Sequence, residues 1–357
     1  MLEFIANRLH DYDVGFFVNE LVNASKNLGI LEAKIDSYQF NSILIPLLQK
    51  KEAISSMYIE GTQTTMTDVL KSEIKPQPNS EKIKIEVRNH VRALIYGAEY
   101  LRSGKFTHSF IKQIHEYMME GIIAPGLENT LGKYKLKDNQ IKSSTGAVVY
   151  TPPKASETKK YMDELISFMN NTEDTINPLI KVAMIHSQFE SIHPFSDGNG
   201  RIGRVLISLY LYKAGIINFP FFYISEAINM DKFVYYRMLT DSRTNSLDEW
   251  IKYFLHKVTV QTTKHIEYID ALNNLYTKTK NTVKDCINSP KFDEIIECLF
   301  THPLLNATIL EDQISVSHGQ AVRYLNVLEE KRVIISDDRK RGKTFFFAEL
   351  IDLAHRT

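Results

Sequence analysis

The chain has 357 residues, of which 43% are hydrophobic and 24% are charged, a composition typical of globular proteins with one or two domains. Its 43 basic and 43 acidic residues balance, so no net charge draws it to nucleic acid or to a membrane surface. Two cysteines exclude a disulfide framework, and no apolar run is long enough to predict a membrane span. With no secretory signal at the first residues, we expect a cytoplasmic protein without membrane partners.

Helical patterns dominate the chain, and the predicted fold class is mainly α. Residues 1–40 carry no motif and are expected to form an N-terminal extension. Residues 41–280 are predicted to form one helical bundle. Apolar residues recur at helical spacing in the segments 40–60, 81–103, 107–120, 156–170, 177–190, 200–214, 231–240, 246–272 and 275–286.

The first predicted helix ends in a short polar pattern. Ser56 and Glu60 are four residues apart and therefore share one helix face. Gly61 can end the helix in a left-handed conformation. Taken alone, this pattern is typical of an ordinary helix end with a solvated carboxylate.

Residues 132–153 predict a β-hairpin. β-Branched residues flank Thr145-Gly146, and two prolines close the segment. Most hairpins only connect elements, so the pattern by itself assigns no function to this one.

The most informative stretch is residues 193–204, which read His-Pro-Phe-Ser-Asp-Gly-Asn-Gly-Arg-Ile-Gly-Arg. Gly198, Asn199 and Gly200 tolerate left-handed backbone, so the turn can direct successive N–H groups inward as a nest for phosphate oxygens. The helix predicted to begin here adds the positive end of its dipole to that nest.

Four side chains of this stretch carry chemistry. Arg201 and Arg204 are three residues apart and face the same side of the predicted helix. Asp197 is a hard oxygen ligand beside the nest, suited to Mg²⁺ that is also bound by phosphates. His193 is the group whose ordinary pKa suits a general base near neutral pH.

Residues 288–357 are predicted to form a second domain. Three short helices are followed by a strand pair with a turn at 337–342, an order that resembles a winged helix. Arg339, Lys340, Arg341 and Lys343 would place positive charge at the tip of the wing, where winged helices meet DNA. The domain nevertheless holds 9 basic and 11 acidic residues, so protein contacts are the alternative to DNA.

The 193–204 stretch resembles the signature of the Fic (filamentation-induced-by-cAMP) family, His-Pro-Phe-x-Asp/Glu-Gly-Asn-Gly-Arg-x-x-Arg, at every fixed position. Ser56, Glu60 and Gly61 resemble the inhibitory motif of the class that carries its inhibitory helix, here near 45–60, before the core. The hairpin resembles the family's flap, which docks a target by strand addition. The flap positions are Thr145, Gly146, Ala147 and Val148.

This resemblance implies a protein adenylyltransferase that moves AMP from ATP to a Tyr, Thr or Ser hydroxyl of a target or of itself. It implies that His193 is the base, that Asp197 holds Mg²⁺, and that Glu60 inhibits by pairing with Arg204. The other phosphate contacts would come from Gly198, Asn199, Gly200 and Arg201.

Some assignments stay open. Tyr235 and Tyr236 lie where the family's adenine pocket is lined, yet an aromatic pair on a helix is as often core. His115 and His186 are best interpreted as structural. The alternatives to AMP transfer are removal of AMP with the help of Glu60, and a DNA-binding regulator whose core only senses nucleotide. Whether the chain forms a homodimer is equally open.

Overall fold

The computed structural model describes residues 2–9, 11–37, 41–74, 80–142, 145–220, 222–337, 339 and 342–355. It is mainly helical, which confirms the predicted fold class. Within the described residues the α-helices are α1 Val14–Ser37, α2 Asn41–Ile59, α3 Met66–Ile74, α4 Ser80–Leu101, α5 His108–Met119, α6 Ala155–Asn170, α7 Pro178–Ile192, α8 Asn199–Lys213, α9 Ser225–Asn229, α10 Lys232–Asp241, α11 Asp248–Cys286, α12 Phe292–Thr301, α13 Ala307–Ile314, α14 His318–Glu330 and α15 Ala348–His355.

The helices and strands divide into two compact units. The first holds residues 1–33, 55–62 and 85–263, and the second holds 34–54, 63–84 and 264–357. The end of α2, with the Ser56–Gly61 pattern, therefore belongs to the first unit. The domain division expected from the sequence, at residues 40, 280 and 288, stays a prediction.

Helix α7 is the centre of the first unit. Every residue from Leu179 to Ile192 is buried, as expected of a helix that other elements surround. The helix begins at Asn177, whose side chain accepts from the Leu179 amide at 2.9 Å, and Pro178 occupies the first turn. Helices α6 and α8 pack along it. Helix α7 therefore provides a rigid support for His193 at its C-terminal end.

The predicted hairpin is present in the first unit. β1 Ile141–Lys142 pairs antiparallel with β2 Val148–Tyr150, with Ile141 opposite Tyr150 and Lys142 opposite Val148. Gly146 has a φ of 83°, the left-handed conformation that the turn requires. Residues 143–144 of the predicted turn lie outside the described residues.

The second unit contains the three predicted helices, α12, α13 and α14, followed by the predicted strand pair. Strands β4 Ile335–Ser336 and β5 Phe345–Phe346 pair antiparallel, and β3 Leu304–Leu305 adds to β5 on the other side. Helix α14 begins with a capping box, in which Ser317 and Gln320 satisfy each other's backbone amide. The identification of this unit as a winged helix stays a prediction.

Several elements differ from the sequence-based prediction. The predicted break between residues 272 and 275 is absent, because Leu272 and Leu275 are both buried and the two asparagines between them do not break a helix as Gly or Pro would. Helix α1, within the expected N-terminal extension, was not predicted. Its exposed valines, Val14, Val18 and Val22, blur the amphipathic pattern. None of the helices in the described part of the chain has the length and apolar character needed to span a bilayer.

Candidate active site

His193 ends helix α7 in a left-handed conformation, with φ 48° and ψ 61°. Its amide still donates to the Phe189 carbonyl at 2.9 Å, so His193 is itself the C-cap residue of the helix. Burial first, and then the nearby charge of Lys135, lower the pKa of the imidazole to about 4. Nδ1 has no hydrogen-bond partner within the described residues. The ring is therefore neutral at physiological pH, which is the form that accepts a proton.

The loop after His193 is closed by Asn199. Its side-chain oxygen accepts from the Phe195 amide at 2.8 Å, and its Nδ2 donates to the Phe195 carbonyl at 2.9 Å. Gly198 precedes α8 with a φ of 80°, and a Cβ there would lie 2.5 Å from the sulfur of Met119. The positive φ favours glycine at residue 198, and any larger residue there would also force the Met119 side chain to shift.

The first turn of α8 lies against the Ser56–Gly61 pattern at the end of α2. A Cβ added to Gly200 would lie 2.6 Å from Oε1 of Glu60 and 3.0 Å from Nη1 of Arg204. The Glu60 carboxylate therefore stands directly over the positive end of α8, where an anion is favoured. The bare backbone of Gly200 makes that approach possible.

Arg204 is 3% exposed and is bound by the end of α2. Its Nη2 donates to Glu60 Oε1 at 2.7 Å and to Ser56 Oγ at 2.8 Å, and its Nε donates to Ser56 Oγ at 3.2 Å. Burial opposes the charge, but Glu60 outweighs it and the pKa of Arg204 is raised. Gly61 follows with a φ of 91°, and it ends the helix as predicted.

Asp197 lies on the opposite side of the loop. Its Oδ2 accepts from the Ala124 amide at 3.0 Å, and its Oδ1 makes only a long contact of 3.4 Å with Arg201. His115 and the Asp197 carbonyl share a hydrogen bond of 3.1 Å, which anchors the loop. The loosely held Oδ1 fits a Mg²⁺ ion that is bound mainly by phosphates. The described residues contain no cluster of three or more His, Cys, Asp or Glu side chains that could form an all-protein metal site.

A cavity of about 660 Å³ lies at the end of α7. The predicted site residues that line it are Glu60, Gly61, His193, Gly200, Arg204, Tyr235 and Tyr236. The hairpin contributes Ile141, Lys142 and Val149, whereas the predicted docking positions 145–148 are exposed and do not line it. Asp197 and Arg201 also lie outside the lining. The cavity is large enough for a nucleotide.

The two tyrosines occupy different environments. Tyr235 is buried, and its hydroxyl shares a hydrogen bond of 2.8 Å with Nε2 of the buried His186. Tyr236 is 43% exposed, and its hydroxyl donates to the Ile59 carbonyl at 3.1 Å. Tyr235 therefore belongs to both the core and the cavity wall, while Tyr236 faces the opening.

The cavity lining also includes charged residues that were not predicted, among them Glu190 and Arg243. Glu190 lies one turn before His193. Its Oε1 has no partner within the described residues, and burial raises its pKa to about 7. Its spacing of three from His193 places both residues near one side of the end of α7, a signal that is available in the sequence. Arg243 follows α10 and stacks on the ring of Tyr150 at 3.8 Å, which no local pattern indicates.

The two predicted wing cations that the structure describes are engaged within the second unit. Lys343 pairs with Glu329 at 2.7 Å, and Arg339 donates to Asp337 at 2.7 Å. Lys340 and Arg341 lie outside the described residues. The described part of the wing therefore presents paired charges.

Two family models match the chain. Residues 105–211 match the model described as the Fic/DOC family, and residues 18–99 match the model described as the N-terminal part of the Fic/DOC family. Together these spans include the end of α2, helix α7 and the loop up to Arg204.

Named relatives match shorter stretches. "Probable protein adenylyltransferase aq_aa38" of Aquifex aeolicus is 26% identical over 181 residues, which are 49% of this chain and 51% of that protein. "Protein adenylyltransferase and cysteine protease IbpA" of Histophilus somni is 26% identical over 184 residues, which are 50% of this chain and 4% of that protein. The chain thus spans about half of the first relative and a small part of the second.

Among solved structures, a Fic family protein from Desulfovibrio desulfuricans G20 has a similar fold, with a TM-score of 0.58 at 20% identity. The match covers 94% of this chain and 97% of that chain. At this identity the likeness shows the fold alone.

Proposed function

Because this chain belongs to the Fic/DOC family, we propose that it is a protein adenylyltransferase that uses ATP. The observation that carries the proposal is that one cavity brings together a neutral imidazole, the positive end of α8, a buried arginine and two tyrosines. These groups supply a base, an anion site and a surface for a nucleobase. The names of two relatives, each matched over about half of this chain, support the same activity.

His193 is proposed to take the proton from a target hydroxyl. The hydroxyl oxygen then bonds to the α-phosphorus, the bond between the α- and β-phosphates breaks, and pyrophosphate leaves. Backbone amides at Gly198–Gly200 and the Arg201 and Arg204 side chains stabilise the negative charge on the phosphates. Because positioning and electrostatics contribute most to such transfers, no nucleophile from the chain is needed.

Asp197 is the residue that would hold Mg²⁺. The ion, when bound with ATP, neutralises phosphate charge and orients the leaving group. The long contact between Asp197 Oδ1 and Arg201 leaves this oxygen available as a ligand. Ala124 and His115 hold the rest of the residue in place.

We propose further that Glu60 inhibits the transfer. Its carboxylate occupies the guanidinium of Arg204 and stands over Gly200, where phosphate oxygens would bind. A carboxylate and a phosphate compete for the same donors. With Glu60 in place, ATP can occupy the cavity only without the contact between Arg204 and its terminal phosphate.

The test is incubation of the intact chain and of Glu60→Gly with α-labelled ATP and Mg²⁺ in the presence of lysate proteins. Label transferred to a protein, and more of it with Glu60→Gly, is the expected result. Glu60→Gly with intact fold and bound ATP but no transferred label would reject the adenylyltransferase proposal.

Removal of AMP is a second candidate, favoured by the position of Glu60 over Gly200 beside the cavity. There its carboxylate could orient a water toward a phosphodiester. A target that already carries AMP separates the two reactions. Loss of the AMP mass with the intact chain, but not with Glu60→Gly, would favour removal.

A further inference from the structure

Lys135 lies against the loop that carries His193, in the segment that precedes the hairpin. Its amide donates to the Pro194 carbonyl at 2.8 Å. Its Nζ donates to the Ile192 carbonyl at 3.2 Å and to the side-chain oxygen of Asn139 at 2.8 Å. One side chain thus reaches both the end of α7 and a second polar residue.

Asn139 completes the contact. Its Nδ2 donates to the His193 carbonyl at 3.3 Å and to the Phe195 carbonyl at 3.2 Å. Lys135 and Asn139 together satisfy the four consecutive carbonyls of residues 192–195. Lys135 and Asn139 therefore hold the backbone on both sides of His193.

These contacts act where the backbone needs support. His193 is one of three residues other than glycine with positive φ in the described chain, and a side chain is disfavoured in that conformation. Surrounding interactions must hold such a residue in place. The turn directs the imidazole into the cavity that it lines.

The charge of Lys135 is also unusual. The side chain is 2% exposed, and no carboxylate of the described residues forms an ion pair with it. Burial lowers the pKa of Lys135 to about 8, so it stays mostly charged at neutral pH. The charged groups that act on the His193 ring are Lys135, Arg243 and Glu60, and Glu190 adds a backbone contact. Two cations therefore oppose one carboxylate around the imidazole.

We propose that Lys135 and Asn139 are a positioning pair for His193, in which Asn139 fixes the left-handed turn and Lys135 both fixes Asn139 and places a positive charge beside the imidazole. The kinetic part of this inference rests on the proposed function of His193 as a base. The geometric and electrostatic parts rest on the contacts alone.

The first test is a titration of His193 in protein labelled with ¹⁵N-histidine, with the signal assigned by its loss in His193→Gln. In the natural chain the ring should protonate well below pH 6.5. Lys135→Met should raise the pKa of His193 by about one unit, because a nearby cation is lost. Lys135→Arg should preserve the natural value. The control is Lys133→Met, an exposed lysine two residues away, which should change nothing.

The second test measures transfer in the Glu60→Gly background. Lys135→Met and Asn139→Ala should each lower kcat about tenfold or more, with KM for ATP within about twofold, since they misplace the base but leave the phosphate site intact. Lys135→Met should also move the acidic limb of the pH profile toward neutral pH. Lys135→Arg should keep kcat at the value of the Glu60→Gly parent.

An unchanged His193 titration together with an unchanged kcat in Lys135→Met would overturn the proposal. Equal losses in Lys135→Met and Lys135→Arg would overturn it too, because they would indicate packing alone. If Lys135→Met does not fold, Asn139→Asp serves, since it removes the donor and offsets the charge of Lys135 with little change of shape; an unchanged His193 titration and an unchanged kcat in that variant would overturn the proposal. Absence of transfer in the Glu60→Gly background would reject the proposed function, while the titration would still decide the role of the pair.

Discussion

The chain contains two ion pairs of equal length in different surroundings. Arg204 and Glu60 in the first unit meet at 2.7 Å, and Lys343 and Glu329 in the second unit also meet at 2.7 Å. The Arg204 side chain is 1% exposed, whereas the Lys343 side chain is 34% exposed. Distance alone therefore does not distinguish them, and burial does.

Burial decides what each pair can control. An exposed pair exchanges its partner for water at little cost, so it contributes about 0–1 kcal/mol. A guanidinium that is only 1% exposed regains little hydration when it loses its carboxylate, so another anion is favoured in that place. A phosphate is such an anion, which makes the buried pair suitable for regulation and leaves the wing pair a local surface contact.

The largest effect is expected when the His193 side chain is removed from the buried site. His193→Ala in the Glu60→Gly background should lower AMP transfer about 10²–10⁴-fold, because it removes the proposed general base. ATP affinity, measured by calorimetry, should stay within about threefold, because the phosphate contacts remain. Undiminished transfer by His193→Ala would reject the assigned mechanism.

The second prediction separates inhibition from binding. Glu60→Gly should raise kcat about 5–150-fold, the range of typical coupling energies, with a smaller change in ATP affinity. Arg204→Ala should not activate, because it removes the proposed phosphate ligand together with the partner of Glu60. The double variant should behave like Arg204→Ala, a non-additivity expected of groups in contact. Additive effects in the full cycle of rate measurements would contradict direct pairing.

The third prediction concerns acid. Burial lowers the pKa of His90, His186 and His265 to about 3 and that of His115 and His193 to about 4, so only the unfolded chain binds these protons between about pH 6.5 and 4. Stability, measured by urea unfolding, should therefore fall by several kcal/mol as pH falls from 6.5 to 5.

Glu190 supplies the control for this pH dependence. Its pKa, raised to about 7 by burial, acts in the opposite direction between about pH 4.5 and 7, since the folded chain keeps that proton longer. Glu190→Gln should make the acid loss steeper. In the second unit, Lys343 first and then Ser336 hold the pKa of Glu329 below its usual value, so that contribution persists until more acidic pH. A flat stability profile between pH 6.5 and 5 would mean that the buried histidines are charged in the folded chain.

The smallest predicted effect compares the two pairs directly. Glu60→Gln should lower the free energy of unfolding by about 2 kcal/mol, below the range for fully buried pairs because Glu60 is 34% exposed. Glu329→Gln should lower it by less than about 1 kcal/mol. Urea unfolding of both variants at pH 7 measures the difference. Equal values would remove the energetic distinction between the pairs.

The local part of the site could be predicted from the sequence, because the loop of residues 193–204 and helix α8 are contiguous in the chain. The pairing of Glu60 with Arg204 joins residues 144 positions apart, and only the family resemblance indicated it. Lys135 and Asn139 lie in an irregular segment without periodicity, so nothing in the pattern pointed to the His193 loop.

The fold shows the same division. Helices with a clear apolar face, such as α5 and α6, were predicted within one residue at each end. Helix α1 was missed because valines occupy its exposed face, and β3 was missed because a two-residue strand has no period to detect. The elements that the sequence did not predict depend on tertiary contacts rather than on a local sequence pattern.

The variable positions of the 193–204 signature are not all free to vary in this chain. A Cβ on Gly203 would collide with Oε1 of Glu190 and would lie 3.2 Å from the ring of His186. The identities of residues 190 and 203 are therefore coupled, because the carboxylate of Glu190 on α7 occupies the space that a side chain at residue 203 on α8 would need. Any replacement of Gly203 should require the Glu190 carboxylate to move or to be shortened, so shortening Glu190 first should make substitution of Gly203 easier to tolerate.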